Sequence, residues 1–391
     1  MGDMKSNAGY KTNVIALLRR SENDGRYPLT GQGGFTLIEL LAAMGLAAVV
    51  ALIGYVLFSS SNWSYKFQED VSEAQQTVRF AMDSRFSRDI KTAGFGLPDP
   101  PFSLTFTGIT NPITSPVVVT NSATGPDSIT IIGIGFAAGT LLQGGNLDCN
   151  VSAAGKICLD NDATGATNAN NFFLNSSGTF TYVPNRRYIS LSGSNAMIEL
   201  ASTQSDAERA AGKVALFSPA TLDRAYPDGT SVYIIQAVQY SISTTTVTTA
   251  NDCTPDNPCL VSTDYTLLRG GAVPGDGQVI AENIEDIQFA YGIDASPKDG
   301  IIDDSGGATT AYEADDFSNA PVDASSIIAI RANIVARTSS KGLSLKTGAV
   351  YNRICLEDRS TDAGCTGAAK DGYRRRSLTK LIKLRNPRQG F

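Results

Sequence analysis

Six cysteines and a cluster of carboxylates are the candidate reactive or ligand-binding residues in this 391-residue chain. Histidine is absent, which removes the commonest general base and the commonest transition-metal ligand. The composition therefore argues against most hydrolases and metalloenzymes, and we predict no catalytic residues and no enzyme activity. A net charge of −6 also argues against a nucleic-acid partner, because phosphate-binding surfaces are usually basic.

The cysteines fall into three close pairs. An even number of cysteines in adjacent pairs is typical of disulfides in an oxidising compartment. A structural zinc site is the alternative, but no pair has the C-x-x-C spacing and no histidine could complete a mixed ligand set. By proximity, the predicted disulfides are Cys149–Cys158, Cys253–Cys259 and Cys355–Cys365.

The carboxylates that could bind a cation lie between residues 294 and 304. Asp294, Asp299 and Asp303 could converge on Ca²⁺ through oxygen ligands. The spacing of an EF-hand is not met, because Ser296 and Lys298 occupy positions where ligands would be expected. A solvated acidic turn is the favoured interpretation and a calcium site is the alternative; no other cofactor is predicted.

The glycine-rich run from Gly133 to Gly139 follows a candidate strand and could suggest a dinucleotide-binding loop. It lacks the glycine spacing of that motif, and a second glycine pair at 144–145 would interrupt a following helix. We interpret the run as a flexible turn.

Residues 35–58 form an apolar segment with the length of a membrane-spanning helix. Five Lys or Arg against three Asp or Glu precede it in residues 1–34. Such an excess keeps that end in the cytoplasm and places the rest of the chain outside it. Glu39 is the single ionisable group in the segment. An intramembrane carboxylate is by default functional, although Glu39 could also snorkel to the nearby interface.

The rest of the chain predicts one amphipathic helix followed by β-structure. Apolar residues recur every three or four positions from Trp63 to Ile90, and Gly94 and Gly96 end the pattern. Period-two alternation beyond Pro98 predicts antiparallel sheets with long loops. The candidate strands are 128–134, 179–183, 187–191, 232–242, 264–268, 284–291, 326–337 and 377–384. The predicted organisation is a cytoplasmic leader at 1–34, the membrane helix at 35–58, the amphipathic helix at 59–95, and a β-rich head at 96–391 with an insertion around 105–280.

The run Gly33-Gly34-Phe35-Thr36-Leu37-Ile38-Glu39-Leu40 resembles the prepilin signature of type IV pilins and type II secretion pseudopilins. The resemblance implies that a membrane peptidase cleaves after Gly34 and that the new N-terminal Phe35 is N-methylated. It also implies that Glu39 pairs with the N-terminal amine of a neighbouring subunit. The implied fold is α+β and pilin-like: a long N-terminal helix packed on a large antiparallel β-rich head with disulfide-tied loops.

Two further segments narrow the resemblance. Residues 78–96 follow an R-(F/Y)-A…R-D-(I/L)…A-G-(F/Y) pattern, and residues 374–386 form a basic last strand. Both are similar to PilW-type minor pilins, although J-type pseudopilins share the general plan.

The resemblance to PilW-type proteins implies a structural subunit that initiates pilus assembly at or near the tip, and thereby serves adhesion and twitching motility. Its implied partners are the prepilin peptidase and methyltransferase, other minor pilins, the major pilin and a tip adhesin. Its implied location is the inner membrane with a periplasmic head, and then the pilus fibre. The alternatives are a J-type pseudopilin of a type II secretion system and a membrane-anchored surface-binding protein.

Overall fold

A computed structural model describes most of the chain after the leader. The described residues are 34–83, 85–98, 102–142, 155–176, 179–183, 185–194, 196–201, 205–245, 253–269, 273–274, 277–294, 300–303, 316–319, 324–339, 350–367 and 370–385. The chain divides into two compact units, Met1–Trp63 and Ser64–Phe391, and the first is described from residue 34 onwards.

Four α-helices and three short 3-10 helices are present in the described residues. The α-helices are α1 (Leu37–Asp83), α2 (Arg85–Lys91), α3 (Asp206–Ala210) and α4 (Ala363–Thr366). The 3-10 helices are Asn168–Phe172, Ala324–Ser326 and Glu357–Ser360. No proline interrupts residues 37–91, so α1 and α2 keep all of the backbone donors that a helix needs. Residues 92–96 form turns, in which Gly94 and Gly96 have φ of +78° and +75°.

The strands lie in two antiparallel sheets and two hairpins. They are β1 (Val117–Thr120), β2 (Ser128–Thr140), β3 (Lys156–Cys158), β4 (Phe173–Ser176), β5 (Thr179–Tyr182), β6 (Tyr188–Leu191), β7 (Met197–Leu200), β8 (Lys213–Ser218), β9 (Ser231–Ser243), β10 (Cys259–Asp264), β11 (Leu268–Arg269), β12 (Val273–Pro274), β13 (Gly277–Glu282), β14 (Ile284–Ile293), β15 (Phe317–Ser318), β16 (Ile327–Arg337) and β17 (Arg375–Lys383).

The larger sheet has nine strands in the described residues. Its main order is β1-β2-β9-β6-β7-β8-β3, and β10 pairs with both β9 and β13. The second sheet has the order β15-β14-β16-β17, and the hairpins are β4-β5 and β11-β12. The long strand β9 therefore organises the larger sheet, since β2 lies along one of its edges while β6 and β10 share the other.

The principal hydrophobic core contains side chains from the helices and from both sheets. Phe86 and Ile90 of the helical region are fully buried there. Phe86 packs edge-on against Tyr240 of β9, with ring centroids 5.0 Å apart, and lies 6.1 Å from Phe289 of β14. The part of the predicted amphipathic stripe from Val78 to Ile90 thus faces both sheets, as burial of an apolar helix face requires. The first part of the stripe is not buried, since Trp63 and Phe67 are 40% and 39% exposed.

A second core lies among β2, β3, β6, β7, β8, β9 and the 3-10 helix at 168–172. A third, smaller core joins the turn after α2 to residues 102–113 and to the centre of the larger sheet. Both lie largely within the range predicted as an insertion. The domain boundaries given above remain predictions.

The predicted fold class is confirmed: a long N-terminal helix packs on antiparallel β-sheets. Seven of the eight candidate strands coincide with observed strands to within a few residues, apart from β2, which continues to Thr140. The candidate at 264–268 is wrong, because β10 ends at Asp264. The Asp264 carboxylate accepts hydrogen bonds from Thr266 N and Thr266 Oγ1, at 2.9 and 2.6 Å, and holds a turn there.

The glycine-rich run at 133–139 is also different from its predicted turn. It lies inside β2, paired with β9, with register shifts around Ala137. A side chain at Gly133 would place its Cβ 3.0 Å from the backbone oxygen of Thr92. The glycine is needed because the turn after α2 approaches the strand closely.

Candidate functional site

Glu39 lies in the first turn of α1, where it caps the helix. Thr36 precedes the helix, and its N–H and Oγ1 each donate to Glu39 Oε2 at 3.0 Å. The N–H of Glu39 in turn donates to Thr36 Oγ1 at 3.3 Å. This reciprocal arrangement is a capping box, which satisfies backbone donors that have no partner within the helix.

The capping role of Thr36 is not among the predictions made from the sequence. The Thr-x-x-Glu spacing before an apolar run was the available signal. The capping box fixes the position of the Glu39 carboxylate at the start of α1. It contributes no positive charge, so the charge of the carboxylate remains uncompensated within residues 34–63.

The apolar surface that follows Glu39 is uncovered. One helix in the described part of the chain is long and apolar enough to cross a membrane, with a mean hydropathy of 2.5 over its most apolar window. Leu46 and Val50 are 70% and 68% exposed. The assignment of a candidate membrane-spanning helix rests on length and composition. Phe35, at the predicted cleavage site, is also exposed.

Asp89, within the segment that resembles PilW-type proteins, is the centre of a polar network next to the principal core. Tyr240 OH donates to Asp89 Oδ2 at 2.7 Å, and Arg85 Nε donates to the same oxygen at 3.1 Å. Arg85 also lies 3.6 Å from Asp264 at the end of β10. Burial, and then the neighbouring Asp89 carboxylate, raise the pKa of Tyr240 well above its usual range. This network fixes α2 against β9 and β10.

The basic C-terminal segment contacts the carboxylates of the helical region. Arg374 lies 3.4 Å from Asp70, and its guanidinium stacks over the Phe67 ring at 4.2 Å from the centroid. Lys380 of β17 forms an ion pair with Asp83 at the end of α1. These ion pairs stabilise packing within the chain.

Asp127 connects the two sheets, and its role could not be seen in the sequence. Its carboxylate accepts hydrogen bonds from Ser122 N at 2.8 Å and from Phe289 N of β14 at 2.9 Å. Burial, together with the nearby carboxylates of Asp358 and Asp286, raises the pKa of Asp127 to about 6. Asp286 itself forms an ion pair with Arg359 at 2.8 Å.

Two disulfides are described, and they are two of the three predicted pairs. Cys253–Cys259 closes the hairpin before β10, and Cys355–Cys365 joins the loop before the last 3-10 helix to α4. The third predicted pair includes Cys149, which lies outside the described residues.

The predicted calcium ligands are only partly described. Asp294 is buried, and its Oδ2 accepts a hydrogen bond from Gly300 N at 2.9 Å, while Asp299 lies outside the described residues. Within the described ranges, no three His, Cys, Asp or Glu side chains are grouped so that they could hold a metal ion. Calcium binding at Asp294, Asp299 and Asp303 stays a prediction.

Comparison with known proteins adds two family matches. Residues 239–386 match the family described as Type IV Pilus-assembly protein W, and residues 29–55 match the prokaryotic N-terminal methylation motif. No curated protein matches the chain. The chain is similar to a solved structure, the type IV-like pilin TTHA1219 from Thermus thermophilus. The two are 8% identical, over 82% of this chain and 97% of that one, with a TM-score of 0.28.

Proposed function

Because the chain is a PilW-type type IV pilus assembly protein with an N-terminal methylation motif, we propose that it acts as a minor pilin. It is a structural protein and not an enzyme. In this proposal it joins a minor-pilin complex that initiates fibre assembly and sits at or near the pilus tip. A prepilin peptidase cleaves it after Gly34, and a methyltransferase modifies Phe35.

The observation that carries the proposal is the position of Glu39 at the start of an uncovered apolar helix. A carboxylate in an apolar environment is costly unless a cation compensates it. The capping box satisfies hydrogen bonds but supplies no charge. The N-terminal ammonium of a neighbouring processed subunit is a cation of the right kind, and pairing would fix the register of adjacent helices.

The proposed location follows from the same segment. The uncovered helix anchors the prepilin in the inner membrane, with its disulfide-bonded head in the periplasm. On assembly, sister helices replace the lipid around residues 35–58. The head then contacts other minor pilins, the major pilin and a tip adhesin.

The test is the substitution Glu39→Val in the full-length chain. We expect cleavage of the leader to continue and incorporation into sheared fibres to fall by at least about tenfold, because the ammonium of the neighbour loses its partner. The measurement is immunodetection of the processed protein in membranes and in purified fibres. Normal incorporation would refute the pairing role.

Two matched variants separate pairing from capping. Thr36→Val removes the hydroxyl of the capping box but keeps the Glu39 carboxylate, so incorporation should be largely retained. Glu73→Val changes an exposed carboxylate in the second unit, and should leave incorporation unchanged. If processed protein assembles normally with a type II secretion system and is missing from pili, the J-type pseudopilin alternative replaces the minor-pilin proposal.

A further inference from the structure

The outer edge of β17 is an open strand edge in the described part of the chain. β17 is the terminal strand of the β15-β14-β16-β17 sheet. Thr338 N donates to Arg374 O and Leu384 N donates to Ile328 O, each at 2.9 Å. Even-numbered positions of this strand therefore bond towards β16. In an antiparallel ladder, the alternate residues Ser377, Thr379 and Leu381 direct their N–H and C=O groups away from the sheet.

The chain covers one end of this edge and leaves the middle open. Arg385 is also an odd-numbered position, so its N–H is directed away from β16. It donates to Lys91 O at the end of α2, at 2.9 Å. No described residue accepts from or donates to the outward backbone groups of Ser377, Thr379 or Leu381. All three side chains are exposed, and Leu381 is 41% exposed.

Bulges and prolines, two of the usual protections of an edge strand, are missing between Ser377 and Leu381. The register of β16 with β17 runs without a bulge from Ala329↔Lys383 to Arg337↔Arg375, and the strand contains no proline. Lys380 is directed to its ion pair with Asp83. Natural proteins protect edges with bulges, prolines and charged side chains, so the stretch from Ser377 to Leu381, which has no bulge and no proline, is suited to strand addition.

The charge of the segment selects the occupant. Residues 374–385 carry six Lys or Arg and no Asp or Glu. Three of the six form ion pairs within the chain, whereas Arg376 and Arg385 are exposed at the two ends of the segment. A second copy of β17 paired with the first would place like charges opposite one another, which is destabilising. An extended segment with alternating carboxylates would instead complement them.

We propose that the outer edge of β17 binds an extended, acidic segment of another pilus-assembly subunit as an added β-strand. The backbone groups of Ser377, Thr379 and Leu381 supply the ladder, and the flanking cations select the acidic segment. The statement that the segment belongs to another pilus-assembly subunit rests on the proposed function. The open edge and its charge are observed independently of that function.

The experiment uses the full-length chain in detergent micelles and two labelled peptides. The acidic probe is Thr-Glu-Val-Glu-Val-Glu-Val-Thr, and the matched control has lysine in place of each glutamate. We expect fluorescence anisotropy to detect the acidic probe only, with affinity that weakens as salt is raised. Hydrogen exchange on the unmodified protein should slow at the amides of residues 377, 379 and 381.

The variant Thr379→Pro removes one outward N–H and leaves the ladder with β16 intact, so binding should weaken by about tenfold. Thr379→Val is its control, because it also loses the hydroxyl bond to Asn333 but keeps the N–H. Equal binding by both variants, equal binding of both peptides, or no slowing of exchange at the three amides would overturn the proposal. Self-association through the same amides would overturn the choice of an acidic partner.

These outcomes are separate from the test of the proposed function. Glu39→Val reports on incorporation into fibres, whereas the peptide experiment needs no fibre. Loss of peptide binding with normal incorporation would remove the strand-addition proposal alone.

Discussion

Two apolar surfaces on the helical region of this protein have opposite surroundings. Around Leu46 and Val50 the apolar side chains are exposed, while Phe86 and Ile90 are fully buried against both sheets. The two stretches differ in composition and in pattern: residues 35–58 are apolar on every side, whereas residues 64–90 carry many charged residues and are apolar on one face. The head buries the second surface, whereas in the proposed function lipid or sister helices cover the first.

The largest expected effect comes from breaking the buried surface. Phe86→Ala should lower the free energy of unfolding of the head by about 3–5 kcal/mol, because it leaves a cavity between β9 and β14. The measurement is denaturant unfolding of the full-length chain in detergent, followed by near-UV circular dichroism.

Two controls sharpen that result. Phe80→Ala changes a side chain that is 62% exposed, and Leu46→Ala changes one that is 70% exposed. Each should alter the unfolding of the head by less than about 0.5 kcal/mol. If Leu46→Ala destabilised the head as much as Phe86→Ala, the distinction between the two surfaces would be wrong.

A smaller effect is expected from the polar network beside the buried surface. Asp89→Asn keeps an acceptor for Tyr240 but removes the nearest anion of Arg85. The free energy of unfolding should therefore fall by about 1.5–3 kcal/mol. Asp83→Asn is the matched control. It removes the partner of Lys380 at an exposed position and should lower the free energy of unfolding by less than about 1 kcal/mol. Equal losses for the two variants would show that burial does not strengthen the Asp89 network.

The sequence predicted both surfaces of the helical region, because helical periodicity and apolar length are local properties of the chain. Seven strands were also predictable from alternation. The turn at Asp264 was missed because its cause is a side-chain bond to Thr266 rather than a glycine or proline. Gly133 was interpreted as a turn residue because the close approach of Thr92 is a tertiary contact.

Only part of the candidate site could be predicted from the sequence, because some of its contacts are local and others are tertiary. Glu39 stood out as a charge in an apolar run, whereas Thr36 needed attention to the capping-box spacing. Asp127 gave no signal at all, since its partner in β14 is 162 residues away in the sequence. The outward direction of the backbone groups of Ser377, Thr379 and Leu381 could not be predicted either, because it depends on how β17 pairs with β16.

The smallest expected effect is a pH dependence confined to the head. The folded-state pKa of Asp127 is about 6, above its ordinary value of 3.8, so the folded state holds this proton more tightly than the unfolded state. The resulting stabilisation is present at low pH and is lost as pH rises through about 6. Burial raises the pKa of Asp286 as well, which adds an effect of the same sign.

Unfolding midpoints at pH 5 and pH 7 measure this effect. The wild-type head should lose stability over that interval, and Asp127→Asn should reduce the loss, because asparagine does not titrate. The same slope in the variant and the wild type would exclude Asp127 as its source.

In the proposed function, the uncovered helix begins at a processed N-terminus and packs against the helices of other subunits. Intact mass and N-terminal sequencing of the protein from native membranes test this claim. We predict a chain that begins at N-methylated Phe35 and lacks residues 1–34. A chain that retains its leader would refute the proposed processing, because Glu39 would then have no neighbouring ammonium to pair with and the helix would serve only as an anchor.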